Sequence, residues 1–448
     1  MIRLPRLALA TCAEGPEPAP ASMALLAGLS KKRWRVQHFR SRACPTGSEL
    51  VGQLTGLPGR HLDAWLMPPD LCRAVFLRGA RRADLALVEG TLHPARPGST
   101  GHMYDCAGQL GPIADSLGLP TVAVVSCAML EGLHLPSLPE EAEAVLLDGL
   151  ENPSEFEALK RTVSLLLRRP VIGAIEALPE VRAALRQTPP GQSPSPELFE
   201  RLAASFLRFA DLPVLRTLAE SRPFPSGTHE PQWCPLRQFR IAYAQDDAFG
   251  GYFPDTLETL EALGAELIEF SPLRDEWLPE SVDLVMIGCG MPDLHAEALA
   301  ANLSLIAALR AHVCQGRRLY SEGGGTAYLG RTLVMGERRI PGAGILPFDA
   351  ELLPQAVAPR PVERVLERDG WLGPKGTTVR GYRSCRWRLR AISEPYEYCP
   401  GRSGTLTAQR DMYFRHHAVG SLIHLHLTAL PHVVAAFAGP HQPSLALP

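Results

Sequence analysis

The sequence predicts an α/β protein of two domains, each built on a mainly parallel sheet. At 448 residues the chain is too long for one ordinary hydrophobic core. Short apolar runs alternate with helix-length amphipathic stretches in both halves, a pattern typical of right-handed βαβ units. Between the halves the composition shifts to Pro, Ser and Gly. We therefore divide the chain into a first domain at 1–185, a linker with a helix at 186–237, and a second domain at 238–448.

The first half contains a series of candidate buried strands. Each is a short run rich in Val, Leu, Ile and Ala, bounded by turn residues. Helix-length stretches lie between several of them, at 21–30, 69–81 and 104–117. The predicted strands are Arg6–Thr11, Arg35–Phe39, Ala83–Gly90, Pro120–Cys127, Glu143–Gly149 and Pro170–Leu178.

The linker and the second half follow the same logic. The Pro-rich segment flanks one apolar helical stretch at 198–218. The second half then alternates strand and helix from Phe239 as far as the run ending "RRLY", and β-rich returns and a last helix are predicted near the C-terminus. After "RRLY" comes "SEGGGTAYLG", a turn of three glycines before a helix-like run. An α/β enzyme often holds its nucleophile at such an elbow, yet here the elbow carries no side chain.

Composition excludes several classes of partner. A formal net charge of −2 gives no electrostatic footprint for nucleic acid. No apolar run approaches the length of a membrane span, and no signal-peptide pattern completes at the start, so a cytoplasmic protein without a membrane partner is expected. The ten cysteines include no C-x-x-C pair, and no metal site is assigned.

Four ordered motifs are more specific than these periodicities. They are "QDDAFGGYFPDTLETLEALGAELIEFSPLRDEWLP", "GCGMPDLHAEALAANLSLIAALR", "YSEGGGTAYLG" and "SLIHLHL". In order and spacing the sequence resembles the cobyrinic acid a,c-diamide synthase family over essentially its whole length. The resemblance implies an N-terminal P-loop-type parallel sheet with helices on both faces, related to dethiobiotin synthetases. It also implies a C-terminal class I glutamine amidotransferase-like α/β domain.

The resemblance further implies an activity and its cofactors. The family uses ATP, Mg²⁺ and glutamine to convert two peripheral carboxylates of a corrinoid, or of a related tetrapyrrole, to amides. Its phosphate loop ends in a Lys and a Thr, which neutralise phosphate and hold Mg²⁺. The corresponding segment here, Ala10–Leu26, has no Lys, has no Thr after its turn, and contains two glutamates and three prolines. We therefore expect a degenerate phosphate loop and no tight ATP binding.

Two carboxylates survive at family positions in the first domain. Glu89 stands where the family has an acidic residue at a strand end, and Asp63 is retained in "HLDAW". Both are candidate Mg²⁺ or substrate ligands. The alternative is that they are capped or paired at the ends of strands.

The elbow shows a second departure from the family. The family has A-E-C-G-G there, with Cys as the nucleophile, and the aligned position here is Gly323. Gly288 and Gly290 fall in the family's oxyanion loop, and Cys289 between them is an alternative thiol, although the geometric demands on a nucleophile and its base count against it. His424 occupies the position of the family's catalytic base. With His426 it forms an H-x-H pair, for which a structural role is favoured over a metal site.

A row of arginines follows the shared "RG" at 380–381. Its members, Arg383, Arg386, Arg388 and Arg390, are predicted to line one face of a strand. Such a row would grip tetrapyrrole carboxylates or an acidic partner. A solvated charged face is the common alternative.

These departures predict a catalytically impaired relative, a pseudoenzyme that binds a tetrapyrrole or serves as a partner subunit. Its partner would be an active homologous subunit or a second copy in a homodimer. Two alternatives stay open: an active amidotransferase of cobalamin or related tetrapyrrole biosynthesis, and a scaffold or regulatory subunit without a small ligand.

Overall fold

The computed structural model describes most of the chain. The described residues are 4–11, 20–43, 48–92, 107–130, 138, 140–188, 193–225, 238–354, 359–367, 369–392, 407–409 and 411–438. The stretch 12–19, which carries most of the phosphate-loop prediction, lies outside them. The chain divides into two compact units, Met1–Pro231 and Gln232–Pro448.

The N-terminal unit is a parallel sheet covered by helices. Among its described residues, seven strands pair in the order β3-β2-β4-β1-β5-β6-β7, and every pair is parallel. The strands are β1 (Arg6–Thr11), β2 (Val36–Arg40), β3 (Arg60–His61), β4 (Leu85–Thr91), β5 (Thr121–Ser126), β6 (Ala142–Leu150) and β7 (Val171–Glu176). The helices are α1 (Pro20–Lys31), α2 (Ser48–Thr55), α3 (Pro69–Ala80), α4 (Gly111–Leu117), α5 (Phe156–Leu167), α6 (Pro179–Gln187), α7 (Pro196–Phe209) and α8 (Leu212–Ala219), with 3₁₀ turns at Cys127–Leu130 and Pro153–Glu155.

Both faces of this sheet are buried. Along β6, Ala144 and Leu146 join a core with α1 and α7, whereas Val145 and Leu147 join a second core with α5. Successive side chains on a strand point to opposite faces, so the strands of a sheet covered on both sides are near-continuous apolar runs. This is why the six predicted strands could be found by their apolar content. The two-residue β3 is too short to show such a run.

The segment assigned to the linker contains two helices. The predicted single stretch at 198–218 is broken, and α8 begins after Asp211, whose side chain accepts a hydrogen bond from the N–H of Val214 at 3.2 Å. An Asp cap followed closely by Pro213 favours a new helix start. Phe206 of α7 and Leu215 of α8 are buried in the core on the α1 side of the sheet. Both helices therefore belong to the packing of the N-terminal unit.

The C-terminal unit has a mixed sheet with a parallel centre. Among its described residues, seven strands pair in the order β10-β8-β11-β13-β22-β21-β20, antiparallel only at the β22, β21 and β20 side. The strands are β8 (Phe239–Ala244), β9 (Phe249–Gly251), β10 (Ala265–Phe270), β11 (Leu284–Ile287), β12 (Cys289–Gly290), β13 (Arg318–Glu322), β14 (Thr332–Met335), β15 (Arg338–Pro341), β16 (Phe348–Leu352), β17 (Arg360–Val365), β18 (Thr378–Arg383), β19 (Trp387–Ala391), β20 (Thr407–Gln409), β21 (Met412–Arg415), β22 (Ala418–Ser421) and β23 (Ile423–His424). The helices are α9 (Pro254–Ala262), α10 (Ala296–Ala301), α11 (Leu303–Cys314), α12 (Gly324–Leu329) and α13 (Pro431–Ala438), with a 3₁₀ turn at Leu427–Ala429.

The centre of this sheet brings three chain segments to one edge. Ile287 at the end of β11 pairs with Ser321 near the end of β13. Glu322 at the end of β13 pairs with Ser421, which precedes β23. The carboxyl ends of parallel strands in an open α/β sheet are where ligands usually bind. The prediction of an α/β fold with a parallel sheet in the N-terminal part is confirmed. In the described part of the chain no helix is both long and apolar enough to cross a bilayer.

Candidate functional site

The triple glycine forms the predicted elbow between β13 and α12. Gly323 has φ 53° and ψ −116°, a backbone conformation that residues with a Cβ adopt only under strain. Its N–H donates to the carbonyl oxygen of Ser421 at 2.8 Å, which fixes the turn to the end of β22. The elbow conformation is thus present although the side chain that elbows usually display is absent.

The next two glycines are required by close packing. An ideal Cβ at Gly324 would lie 2.2 Å from the carbonyl oxygen of Gly290, and one at Gly325 would lie 2.3 Å from that of Ile287. The first turn of α12 therefore rests directly on the backbone that connects β11 to β12. This contact brings Cys289 to the elbow.

His424 reaches the same place from β23. It pairs with Tyr382 of β18, and an ideal Cβ at Gly381 would lie 2.2 Å from the His424 carbonyl oxygen, so a glycine is needed beside this strand. The His424 side chain is buried. Its Cε1 atom lies 2.8 Å from where a Cβ at Gly323 would stand. The predicted base, His424, therefore faces the predicted nucleophile position, Gly323.

Cys289 lies on β12, between the two glycines predicted as the oxyanion loop. Its Sγ atom is 2.5 Å from His424 Nδ1 and 3.8 Å from His424 Nε2. The same sulfur lies 3.4 Å from the ideal Cβ position at Gly323. The residue is partly exposed, and Gly251 stands opposite it in the β9–β12 pair. The structure thus places Cys289 in contact with His424, although the geometric demands on a nucleophile and its base had counted against Cys289 from the sequence alone.

Glu322 completes the group. Its Oε2 atom lies 3.7 Å from His424 Nδ1. Its Oε1 atom accepts hydrogen bonds from the Tyr320 hydroxyl at 2.6 Å and from the Leu425 N–H at 3.1 Å. Burial, and then the nearby Glu322 carboxylate, raise the pKa of Tyr320, so this phenol stays a proton donor.

A second tyrosine fixes the loop that carries the thiol. The Tyr252 hydroxyl accepts the N–H of Gly288 at 2.9 Å and donates to the carbonyl oxygen of Ala244 at 3.0 Å. Burial is the main cause that raises the pKa of this phenol. Because Tyr252 engages the Gly288 N–H, that donor is not directed at a substrate in this conformation.

Neither tyrosine nor Glu322 was predicted as a site residue. Tyr320 and Glu322 are two residues apart on a strand, and this spacing places them on one face. An acidic residue directly before the elbow was therefore a usable signal for Glu322. The hydroxyl of Tyr252 is brought to Gly288 by the pairing of β9 with β12, for which the sequence carries no local signal.

Cys289, Glu322 and His424 are, among the described residues, the group whose side chains could hold a metal ion. The ligand atoms of Cys289, Glu322 and His424 lie within 4.8 Å of one another. His426 is not part of this group, and its ring lies against Phe253 with centroids 4.6 Å apart and the ring planes tilted by 32°. A thiolate and an imidazole that share a tetrahedral Zn²⁺ stand about 3.5 Å apart, given metal bonds of 2.0–2.3 Å. The sulfur and Nδ1 are 2.5 Å apart, closer than a shared Zn²⁺ would leave them, so the two side chains contact each other directly.

The surviving carboxylates of the N-terminal unit are engaged inside the fold. Asp63 is fully buried and accepts hydrogen bonds from the N–H groups of Trp65, at 2.9 Å, and Ala43, at 3.3 Å. Glu89 is almost fully buried, and its Oε2 lies 2.9 Å from Nε2 of the buried His38. Their assignment as Mg²⁺ or substrate ligands stays a prediction.

The predicted arginine row is divided. Arg383 ends β18, Arg386 precedes β19, and Arg388 and Arg390 lie on β19, which pairs in a different sheet from β18. A bend between the two strands breaks the period on which the single row depended. Each of the four arginines faces a carboxylate of this chain. The pairs are Arg383 with Asp411, Arg386 with Asp293, and Arg388 and Arg390 with Glu351.

The sequence is similar to known proteins over the part of the chain that holds this site. The CobB/CobQ-like glutamine amidotransferase domain matches residues 240–428. A cobyrinate a,c-diamide synthase from Synechocystis sp. is 32% identical over 354 residues, covering 75% of this chain and 71% of the relative. The chain belongs to the cobyrinate a,c-diamide synthase family.

Other family members align over almost the full length. The cobyrinate a,c-diamide synthase of Syntrophotalea carbinolica is 27% identical over 461 residues, covering 97% of this chain and 98% of the relative. Among solved structures, a glutamine amidotransferase is 20% identical with a TM-score of 0.33, covering 44% of this chain and 99% of that one. The match to the domain spans β8 to the 3₁₀ turn and includes Cys289, Glu322, Gly323 and His424.

Proposed function

We propose that this protein is a catalytically impaired relative of the cobyrinate a,c-diamide synthases that binds a carboxylate-rich tetrapyrrole or serves as a partner subunit in its amidation. The observation that carries the proposal is Gly323, which leaves a preserved strand-to-helix elbow without a nucleophile. A backbone position has no group that can form the covalent thioester on which glutamine-dependent amidation depends. The elbow pathway is therefore closed, while the shell around it is intact.

The N-terminal unit supports the same proposal. The segment Ala10–Leu26 contains no Lys, the residue that reaches nucleotide phosphates in a phosphate loop. Asp63 and Glu89 are engaged with internal donors, and a Mg²⁺ ion would have to compete with those contacts. We expect the single chain not to complete an ATP- and glutamine-dependent amidation.

Three measurements on the full chain test this proposal. Titration with cobyrinic acid should shift the visible absorption bands of the pigment with micromolar affinity. Calorimetric titration with Mg-ATP should show no micromolar binding. Incubation of all substrates together should leave the mass of the tetrapyrrole unchanged. Micromolar Mg-ATP binding together with a tetrapyrrole lighter by 1 Da for each acid converted to an amide would refute the impairment.

A partner subunit is the other half of the proposal. An active homologue would supply the missing phosphate chemistry in the cytoplasm, whereas a second copy of this chain would form a homodimer that still lacks the phosphate-loop Lys. Light scattering after gel filtration measures the mass of the purified chain, and affinity capture from the native cell extract detects a co-purifying homologue. A monomer that captures no homologue and binds no tetrapyrrole would instead favour a scaffold without a small ligand.

An active amidotransferase is the second candidate, and one observation favours it. The contact between Cys289 and His424 is a thiol–imidazole pair beside the empty elbow. The reactivity of this pair does not depend on tetrapyrrole binding. Thiol reactivity and tetrapyrrole binding are therefore tested by different measurements.

A further inference from the structure

The elbow lacks a side chain, yet a thiol stands in the space that one would enter. The Cys289 sulfur is 3.4 Å from the ideal Cβ of residue 323, and the sulfur of a cysteine there would project one bond beyond that Cβ. Both positions face the His424 ring, whose Cε1 lies 2.8 Å from the same Cβ. A thiol thus lies on the loop beside the empty elbow, in contact with the same histidine.

Backbone packing holds the thiol in that place. Gly251 lies opposite Cys289, and an ideal Cβ there would be 2.7 Å from the Cys289 Cβ, so the absence of a side chain at 251 makes room for the thiol. An ideal Cβ at Gly290 would lie 1.9 Å from the carbonyl oxygen of Ala248, which ties the other side of the loop. The Gly288 N–H is held by Tyr252. Cys289 thus lies on a segment fixed on both sides, as a positioned nucleophile must.

The neighbours of the thiol suit proton transfer. Transfer of the thiol proton to His424 Nδ1, 2.5 Å away, produces a thiolate and an imidazolium. The Glu322 carboxylate lies 3.7 Å from Nδ1, and the Tyr320 hydroxyl and Leu425 N–H hold that carboxylate in place. His424 and Glu322 are buried, and Cys289 is the partly exposed residue of the three.

We infer that Cys289 is the nucleophile of a displaced amide-cleaving centre, with His424 as its base and Glu322 as the residue that positions the base. The substrate class is a primary carboxamide, the glutamine side chain in the first instance, since the domain matches glutamine amidotransferase domains. This inference rests on the proposed function only in that Gly323 leaves the elbow empty. It does not require a tetrapyrrole or ATP.

The reaction balances without a further reagent. The thiolate attacks the amide carbon and a sulfur–carbon bond forms. The carbon–nitrogen bond then breaks, and ammonia leaves with the proton that His424 took from the thiol. Water, deprotonated by His424, attacks the thioester, the sulfur–carbon bond breaks, and a carboxylate and the thiol result. Ammonia released in this way is what a partner that activates carboxylates would consume.

The test uses 6-diazo-5-oxo-L-norleucine, a glutamine analogue that alkylates a nucleophile in a glutamine site, in buffer with EDTA to remove divalent metals. Peptide mapping by mass spectrometry should locate the adduct on Cys289, and excess glutamine should suppress it. Glutamate release from glutamine should fall at least 100-fold in Cys289→Ala. An adduct absent from Cys289, or glutamate release unchanged in Cys289→Ala, would overturn the inference.

A matched pair of variants keeps the thiol but moves it. Gly251→Ala should displace Cys289 from His424 and slow alkylation by about tenfold or more. Gly250→Ala is the control, because its nearest atom is the mobile end of Gln245 at 3.0 Å. Equal alkylation rates in two folded variants, checked by circular dichroism, would contradict the positioning. Pigment binding is read by absorption in the same samples, so failure of the proposed function and failure of this inference are seen separately.

Discussion

The polar side chains near the carboxyl ends of the strands make different contacts in the two units. In the N-terminal unit, Asp63 accepts backbone N–H groups and Glu89 faces a buried His38. In the C-terminal unit, Cys289 and His424 contact each other at a partly exposed edge. Internal contacts of the first kind contribute to stability, whereas a thiol that contacts a base is a candidate for reactivity. The retention of a residue at a family position therefore says less than the contacts that its side chain makes.

Thiol reactivity gives the largest expected difference between the two units. Cys72 of α3 is buried, and burial together with the nearby Asp63 raises its pKa to about 12. At pH 8 only about one Cys72 thiol in ten thousand is then a thiolate, the reactive form. We expect iodoacetamide to alkylate Cys289 at least 100-fold faster than Cys72 at pH 8, as measured by peptide mapping over time.

The control is the same measurement in concentrated urea, where both thiols should react alike. Comparable alkylation rates of Cys289 and Cys72 in the native protein would contradict the contrast between the units.

The raised pKa of Cys72 also makes the stability of the fold depend on pH. The folded thiol keeps its proton to about pH 12, while its ordinary pKa is 9.0, so its contribution is complete below pH 9 and is lost as the pH rises toward 12.

The buried pair in the N-terminal unit should carry the largest stability effect. In His38→Ala the Glu89 carboxyl stays buried and loses its 2.9 Å partner. Removing one member of a buried pair costs about 3 kcal/mol of unfolding free energy. Urea unfolding followed by tryptophan fluorescence measures this loss.

A surface pair provides the matched control. Lys31 and Glu200 are 3.1 Å apart with side chains 51% and 69% exposed, and Lys31→Ala should cost no more than about 0.5 kcal/mol. If His38→Ala and Lys31→Ala were equally mild, Glu89 would be able to reach water. Glu89 would then again be a candidate metal ligand. Both units would in that case have a polar side chain that is open to a ligand.

The elbow of the C-terminal unit should respond next. Gly323→Ala places a Cβ at φ 53° and 2.8 Å from His424 Cε1, so it combines backbone strain with a displaced base. We expect a loss of about 2–3 kcal/mol and about tenfold slower alkylation of Cys289.

Gly336→Ala separates these two causes. Gly336 has φ 63° with nothing within 4 Å of an ideal Cβ, so only the strain of about 1 kcal/mol should appear. An identical loss in both variants, with alkylation of Cys289 unchanged, would show that His424 moves aside without cost. The contact between Cys289 and His424 would then not depend on the empty elbow.

Some elements of the structure could be predicted from the sequence and others could not. The buried strands and the elbow were predictable, because apolar runs and three consecutive glycines are local signals. The positions of Gly323 and His424 followed from motif order. The contact of Cys289 with His424 was not predictable, since it depends on the register of β12 against β9, where the pairing shifts between Cys289 and Gly290. Likewise the arginines were predicted as one row because the bend between β18 and β19 has no periodic signature.

The smallest expected effect lies in the support of the thiol loop. Tyr252→Phe removes a hydroxyl that accepts the Gly288 N–H and donates to the Ala244 carbonyl oxygen, which leaves both backbone groups without that partner. We expect a loss of about 1–2 kcal/mol in urea unfolding. Alkylation of Cys289 should also slow a few-fold, because the loop that holds the thiol loses its anchor.

Tyr243→Phe is the matched control, since the Tyr243 ring meets the Tyr252 ring edge-on at 5.6 Å while its hydroxyl donates only to the exposed Glu269. That change should cost less than about 0.5 kcal/mol and leave alkylation unaltered. If Tyr252→Phe instead speeds alkylation, the freed Gly288 N–H would be acting as a donor to the substrate. The conformation described here would then be a resting state, in which Tyr252 withholds from the thiol centre the backbone donor that an oxyanion requires.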